Sequence, residues 1–327
     1  MKSILVVGGA GYIGSHMVWL LGQRGMHVVT LDNLSAGHRN AVLHGELVVG
    51  DIADRALLER LFASRRFDVV MHFASCIQVG ESVTDPAKYY ANNVANTLTL
   101  LDAMRAHKVR QFVFSSTAAI FGEPQHLPIS ERHPCAPINP YGRTKWMIEQ
   151  ALFDYQSAYG LRAVSLRYFN AAGAHPDGIL GERHTPETHL IPLVLQAASG
   201  QRRDITVFGR DYATPDGTCI RDYVHVMDLA EAHWQALRYL ENSGTGVAFN
   251  LGNGDGYSVQ QVISTACAVT GRDIQVQEGP RRIGDPARLV ADAALARSVL
   301  NWQPKYGDLP TIVRDAWRWE CSQRKLA

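Results

Sequence analysis

Residues 141–145 read YGRTK, directly after Asn139-Pro140. A phenol and an ammonium four residues apart lie on one face of a helix. The helix is signalled locally: Asn139 is a favoured N-cap, Pro140 suits the first helical position, and WMIEQALFDYQ continues without a breaker. A lone YxxxK is most often a surface ring lying over a lysine stem. A chemical role needs a reason for a positive charge beside a phenol. Such a charge lowers the phenol pKa and turns it into a base near neutral pH. Upstream, SSTAAIFG (115–122) ends an apolar run with Ser115, Ser116 and Thr117. Combined with these hydroxyls, Tyr141 and Lys145 form an acid/base constellation acting on an alcohol, with Thr117 holding the reacting hydroxyl.

Those side chains need a scaffold, and the chain has the size for one. Its 327 residues allow about two domains, and 46% apolar against 19% charged residues is an ordinary globular balance. With 32 basic and 31 acidic side chains the net charge is +1, which argues against a nucleic-acid partner. No apolar run reaches the ~20 residues of a membrane span, and ILVV meets glycines too early for a signal peptide. Cysteines at 76, 135, 219, 267 and 321 lack ligand spacing, so no metal is expected and a reducing cytoplasm is.

Apolar runs at 3–7, 28–31, 46–49, 68–73, 111–115 and 163–167 alternate with helical patterns such as Ile13–Gln23, Arg55–Phe62 and Asn93–Arg105. That alternation predicts an α/β protein with a doubly wound, Rossmann-type parallel sheet over residues 1–170. A smaller α/β substrate domain is expected over 171–327, with 222–250 returning to the sheet. The first strand runs into GGAGYIG, with glycines at 8, 11 and 14 and a helix starting at once. Glycines there allow a tight turn, and the helix N-terminus offers amides to a pyrophosphate. The second strand ends in Asp32, 18 residues after Gly14, where a carboxylate receives ribose hydroxyls and repels a 2′-phosphate. NAD is therefore favoured over NADP. Asp51 follows the third strand near a possible adenine edge, and His72-Phe73-Ala74 ends the fourth.

This set resembles the extended short-chain dehydrogenase/reductase family, nearest its nucleotide-sugar 4-epimerase branch. Eleven co-linear motifs carry the resemblance along almost the whole chain: GGAGYIGSH, LDNL, GDI, HFA, VGES, NNV, FSSTAAIFG, PYGRTK, LRYFNAAGAHP, DGTCIRDYVHVMDLA and PRRIGD. The resemblance implies tightly held NAD that oxidises the C4 hydroxyl of a UDP-hexose (UDP-glucose or UDP-galactose). The 4-keto sugar then rotates and is reduced on its other face. For the cofactor it implies Gly8, Gly11, Tyr12, Ile13 and Gly14, with Asp32, Asn33, Asp51 and Ile52. Phe73, Ala74, Asn92, Ser115, Tyr141, Lys145 and Phe169 complete that set. For the UDP-sugar it implies Thr117, Tyr141, Asn170, His189 and Leu190, then Arg221, Tyr223, Arg282, Asp285 and Leu289. Two guanidiniums suit a diphosphate. Family members pair as homodimers through two helices, and 93–105 and 147–158 are apolar enough here to supply them.

The departures from the family pattern carry information. Dehydratases of the family have an Asp-Glu pair after the threonine, whereas this chain has Ala118-Ala119, which removes the acid and base for elimination. Val7 replaces a threonine, Ile77 a lysine near the cofactor, and His189 an asparagine of some members. Leu289 stands where some relatives have a tyrosine narrowing the pocket at the sugar C2, which predicts tolerance of UDP-N-acetylhexosamines. Two other readings remain. One is a 4-epimerase of a UDP-pentose or UDP-uronate. The other is a non-catalytic NAD-binding regulator, which has no need of the Thr117, Tyr141 and Lys145 set.

Overall fold

The computed structural model describes residues 2–242, 246–282 and 285–324. Ile283 and Gly284 of the PRRIGD motif lie outside the described residues, as do 243–245 within the 222–250 segment. Six strands, β1 (Ser3–Val7), β2 (His27–Asp32), β3 (Glu46–Val49), β4 (Val69–His72), β5 (Gln111–Thr117) and β6 (Arg162–Tyr168), alternate with helices. A seventh, Val247–Leu251, pairs in parallel beside β6. The order across the sheet is Val247–Leu251, β6, β5, β4, β1, β2, β3, and every pairing is parallel. This is the doubly wound fold expected from the alternation of apolar runs and helices.

The sheet is covered on both faces, which is why its strands read as continuous apolar runs. Along β1, Ile4 and Val6 pack with Met17 and Leu21 of α1 (Tyr12–Gln23) and with Leu229 and Leu237 of the helix Val226–Asn242. Leu5 and Val7 point the other way, against Leu58, Leu101 and Ile148. The strand order reverses between β1 and β4, whose carboxyl ends therefore open a crevice. Successive strands bring the glycine-rich turn, His72-Phe73-Ala74 and Ser115–Thr117 to that same edge.

A second layer stands beyond this edge. Helices Leu190–Ala198, Val259–Thr270 and Leu309–Arg324 enclose a separate apolar core around Ile191, Leu195, Ile263 and Ile312. Three short sheets accompany it, among them Tyr257–Ser258 with Ile220–Arg221 and Arg288–Leu289. No helix among the described residues is long and apolar enough to cross a membrane.

Candidate active site

β5 carries Thr117 to the carboxyl edge, and the chain turns at once through Ala118–Ile120. The helix Pro140–Tyr159 then returns over that turn. Its start is fixed by the Asn139 side chain, which accepts from the Gly142 amide at 2.8 Å, and its end by Gly160 in the left-handed region. A Cβ at Gly142 would lie 2.4 Å from the Ala119 carbonyl oxygen, so only glycine lets the helix sit this close to the turn. Close approach puts the Tyr141 hydroxyl in hydrogen-bond contact with Thr117. One turn on, Lys145 is 4% exposed and its Nζ donates to the Ser115 carbonyl at 2.8 Å. The ammonium lies 4.9 Å from the Phe114 ring centroid and 6.0 Å from that of Tyr141.

The electrostatics differ from the expectation that Lys145 depresses the Tyr141 pKa. Burial raises the phenol above its ordinary value, and only the Thr117 hydrogen bond acts downward. Lys145 is itself lowered by burial from 10.5 to about 7, against an opposing pull from Glu149. A lysine that sheds its proton near neutrality in a dry site provides little fixed positive charge to its neighbour. Near neutrality Tyr141 is therefore pulled down by the Thr117 hydrogen bond, joined by Lys145 in its protonated fraction.

The glycine-rich turn is ordered by contacts that exclude side chains. Gly8 has φ +78°, and a Cβ there would sit 2.4 Å from the Ala74 amide nitrogen. One at Gly14 would sit 2.2 Å from the Gly8 carbonyl oxygen. Gly11, the N-cap of α1, provides no side-chain acceptor, which leaves first-turn amides available to an anion. Asp32 accepts from the Ala10 amide at 2.9 Å and the Leu34 amide at 2.8 Å, fixing the turn to the end of β2. Asn33 donates to Asp51 at 2.7 Å, while Ile52 is core. Both Phe73 and Ala74 donate their amides to the Val7 carbonyl, at 2.8 and 3.2 Å. Tyr12 reaches across to the second layer and donates to the Gly173 carbonyl at 2.6 Å. A Gly8→Ala variant is expected to lose stability on the order of 1–3 kcal/mol and to retain less NAD on purification. Thermal melting and the absorbance of released cofactor measure both, and no change in either would contradict this packing.

Among the residues expected to hold the UDP-sugar, Arg221 ion-pairs with Asp285 and Arg282 stacks over Phe208 at 4.2 Å. The Asp285 amide donates to the Arg282 carbonyl at 3.3 Å, which ties Arg282 to the partner of Arg221. Leu289 is registered with Arg221 between adjacent strands. With Phe169 it packs against Ala118, Ile120, Phe121 and Ile129, which places it next to the Thr117 turn. Asn170 pairs with Tyr223 between short strands, and its amide donates to the Asp222 carbonyl at 3.0 Å. The Tyr223 side chain, 5% exposed, belongs to the apolar core of the second layer. His189 caps the start of the helix Leu190–Ala198, with Nδ1 against Glu182. Asn92 donates to Asn93 at 2.9 Å.

Comparison with known proteins places this geometry. Residues 4–252 match the NAD dependent epimerase/dehydratase family. The UDP-glucose 4-epimerase of Halalkalibacterium halodurans is 53% identical, over 97% of this chain and 95% of that protein. The chain belongs to the epimerase/dehydratase family. Among solved structures, that of UDP-glucose 4-epimerase from Brucella ovis in complex with NAD superposes with a TM-score of 0.95 at 51% identity, covering 97% of this chain and 98% of that one. The UDP-Glc/GlcNAc 4-epimerase of Campylobacter jejuni superposes with a TM-score of 0.87 at 43% identity, covering 98% and 100%.

Within this epimerase/dehydratase chain, several supporting residues were not singled out in the sequence. Glu149, a further turn along the helix from Lys145, accepts from Arg167 Nε at 3.1 and 3.0 Å and also from the Ser116 hydroxyl. Both charged side chains are buried, at 7% and 5% exposure for Arg167 and Glu149. The i, i+4 spacing of Lys145 and Glu149 was the available signal; the arginine partner on β6 was not predictable from spacing. Asn93 lies on the π-turn Tyr90–Ala95. It donates to the Cys76 carbonyl at 3.0 Å and to Thr144 at 3.1 Å, tying the segment after β4 to the Tyr141 helix. Asp222, fully buried, accepts the amides of Asn253 at 2.8 Å, Gly254 at 3.1 Å and Ala291 at 3.1 Å. It thereby holds the strand bearing Leu289 beside Arg221.

Proposed function

We propose that this chain is a NAD-dependent UDP-hexose 4-epimerase, interconverting UDP-glucose and UDP-galactose. One observation carries the reading: Thr117, Tyr141 and Lys145 converge at the carboxyl edge of the sheet, while the adjoining turn holds Ala118 and Ala119 in place of an elimination acid and base. Bound NAD supplies reversible two-electron oxidation at the sugar C4. The glycine-rich turn receives the pyrophosphate, and Asp32 the adenosine ribose. Thr117 holds the C4 hydroxyl against Tyr141, whose phenolate takes the hydroxyl proton and gives it back to the alkoxide formed on the opposite face. Lys145, with a backbone carbonyl as its hydrogen-bond partner, has N–H groups left for a ribose and for lowering the phenol pKa when protonated. Arg221 and Arg282 hold the diphosphate, and Asp285 the uridine ribose. Anchoring the nucleotide this way leaves the hexose free to turn between oxidation and reduction.

Leu289 lies on the wall beside Phe169 and the Thr117 turn, and a leucine there leaves room for an N-acetyl group at C2. The test supplies UDP-galactose and UDP-N-acetylgalactosamine in one tube without added NAD, followed by proton NMR of the anomeric region. Formation of both glucose-configured products is expected, and Leu289→Tyr should cut the N-acetyl turnover selectively by about 10-fold or more. Equal loss on both sugars would assign Leu289 to general packing. Absence of either product, even with NAD supplied, would overturn the hexose reading.

The helix Pro140–Tyr159 leaves Met147 43% and Phe153 69% exposed, which supports a homodimer built on this helix and the neighbouring Asn96–Ala106. Phe153→Glu is expected to shift the chain from dimer to monomer in light scattering with its melting cooperativity retained. A wild-type monomer would remove the proposal. Cys76, Cys135, Cys219 and Cys267 stand as thiols, which supports a cytoplasmic setting, in galactose metabolism.

A further inference from the structure

The segment Glu182-Arg183-His184-Thr185-Pro186-Glu187-Thr188-His189 takes no part in the acid/base chemistry, yet it gathers four chemically active side chains. One ligand atom from each of Glu182, His184, Glu187 and His189 lies within 4.8 Å of all the others. His184 Nδ1 stands 3.2 Å from Glu182 Oε1 and 3.5 Å from Glu187 Oε2, and His189 Nδ1 stands 3.8 Å from Glu187 Oε1. Four ligands about 2.0–2.1 Å from a tetrahedral ion stand roughly 3.4 Å apart. Those three separations bracket that value, while His189 Nδ1 and Glu182 Oε1 meet directly and would have to part to admit an ion. As hydrogen bonds the three are poor, because N–H···O contacts centre near 2.9–3.0 Å. His184 Nδ1 is buried and makes no hydrogen bond despite two carboxylates at this range.

The carboxylates are 5% exposed, and two anions held together in this way need positive charge beside them, supplied either by both imidazoles in their protonated form or by a bound metal ion. The backbone around them is fixed. Trp319 Nε1 donates to the Glu182 carbonyl at 3.0 Å, and the Arg183 guanidinium donates to Asn40 at 2.8 Å. The Tyr12 ring meets His184 edge-on at 6.4 Å. The cluster therefore joins the second layer to the start of α1.

We propose that Glu182, His184, Glu187 and His189 form a structural site for a divalent transition ion of the Zn²⁺ class. Two imidazoles exclude Mg²⁺ and Ca²⁺ as preferred occupants, since those ions take oxygen ligands, and four protein ligands close the tetrahedron against a catalytic water. The ion clips the 182–189 segment beneath the helix that His189 caps. The proposal departs from the expectation of no metal, which rested on cysteine spacing alone.

The full chain is stripped with chelator, then titrated with Zn²⁺ alone by calorimetry and with Co²⁺ by visible absorption. One equivalent per chain, a four-coordinate Co²⁺ spectrum and a rise in melting temperature are expected. His184→Gln and Glu187→Gln should each weaken Zn²⁺ binding by roughly 100-fold or more. Should a variant fail to fold, X-ray absorption of the Zn²⁺-loaded wild type replaces it, with imidazole scattering expected in the first shell. No stoichiometric uptake, unchanged affinity in the folded variants, or a shell without imidazole would show that the four side chains stand as histidine–carboxylate ion pairs. None of these readouts depends on epimerase turnover.

Discussion

Tyr141→Phe is expected to reduce turnover of UDP-galactose by roughly 10²–10⁴-fold, the range spanned by a positioned acid/base group. The reason is local. The variant removes the oxygen that takes and returns the C4 proton, and no other phenol or imidazole is hydrogen-bonded to Thr117 among the described residues. Its structural cost should be small, because Thr117 keeps its own bond from the Ala119 amide at 3.1 Å and Lys145 keeps the Ser115 carbonyl. NAD should therefore remain bound and the melting temperature nearly unchanged. Turnover near that of the wild type would remove Tyr141 from the chemistry and with it the proposed mechanism. A parallel fall in NAD content would instead assign it to cofactor binding.

Glu149→Ala is expected to have the largest effect on stability. It strands the buried Arg167 guanidinium, and breaking one side of such a pair costs about 3–5 kcal/mol. In a chain of this size that lowers the melting temperature by about 4–7 °C. The double variant Glu149→Met with Arg167→Met should recover most of the loss, since both charges are then gone and the volume is kept. A full, additive loss in the double variant would contradict the ion-pair explanation.

The milder Glu149→Gln tests the electrostatic link to Lys145. Glu149 holds the lysine pKa up against burial. Without its charge Lys145 loses its proton at lower pH, so the alkaline limb of the turnover profile should move down. An unmoved profile would confine Glu149 to packing.

Much of this protein was decided by the sequence alone. Continuous apolar runs separated by helical patterns specify a parallel sheet covered on both faces, because only such burial tolerates strands without polar alternation. The glycine spacing after β1 and the carboxylate ending β2 are equally local, since each depends on the chain a few residues away. Asn139-Pro140 likewise sets the start of the Tyr141 helix through its own N-cap hydrogen bond. The tertiary structure decided the electrostatics and the long-range partners. The YxxxK spacing suggested a phenol acidified by lysine, but burial, which no spacing encodes, raises the pKa of the phenol and lowers that of the lysine to about 7. Arg167 lies 18 residues from Glu149 and reaches it only because β6 pairs beside β5 under the same helix. The four side chains of 182–189 are close in sequence, yet their ligand atoms converge because Trp319 and Asn40, far along the chain, hold the backbone between them. Local propensity fixes elements and turns over short distances, whereas desolvation and charge pairing depend on what the finished packing brings within a few ångströms.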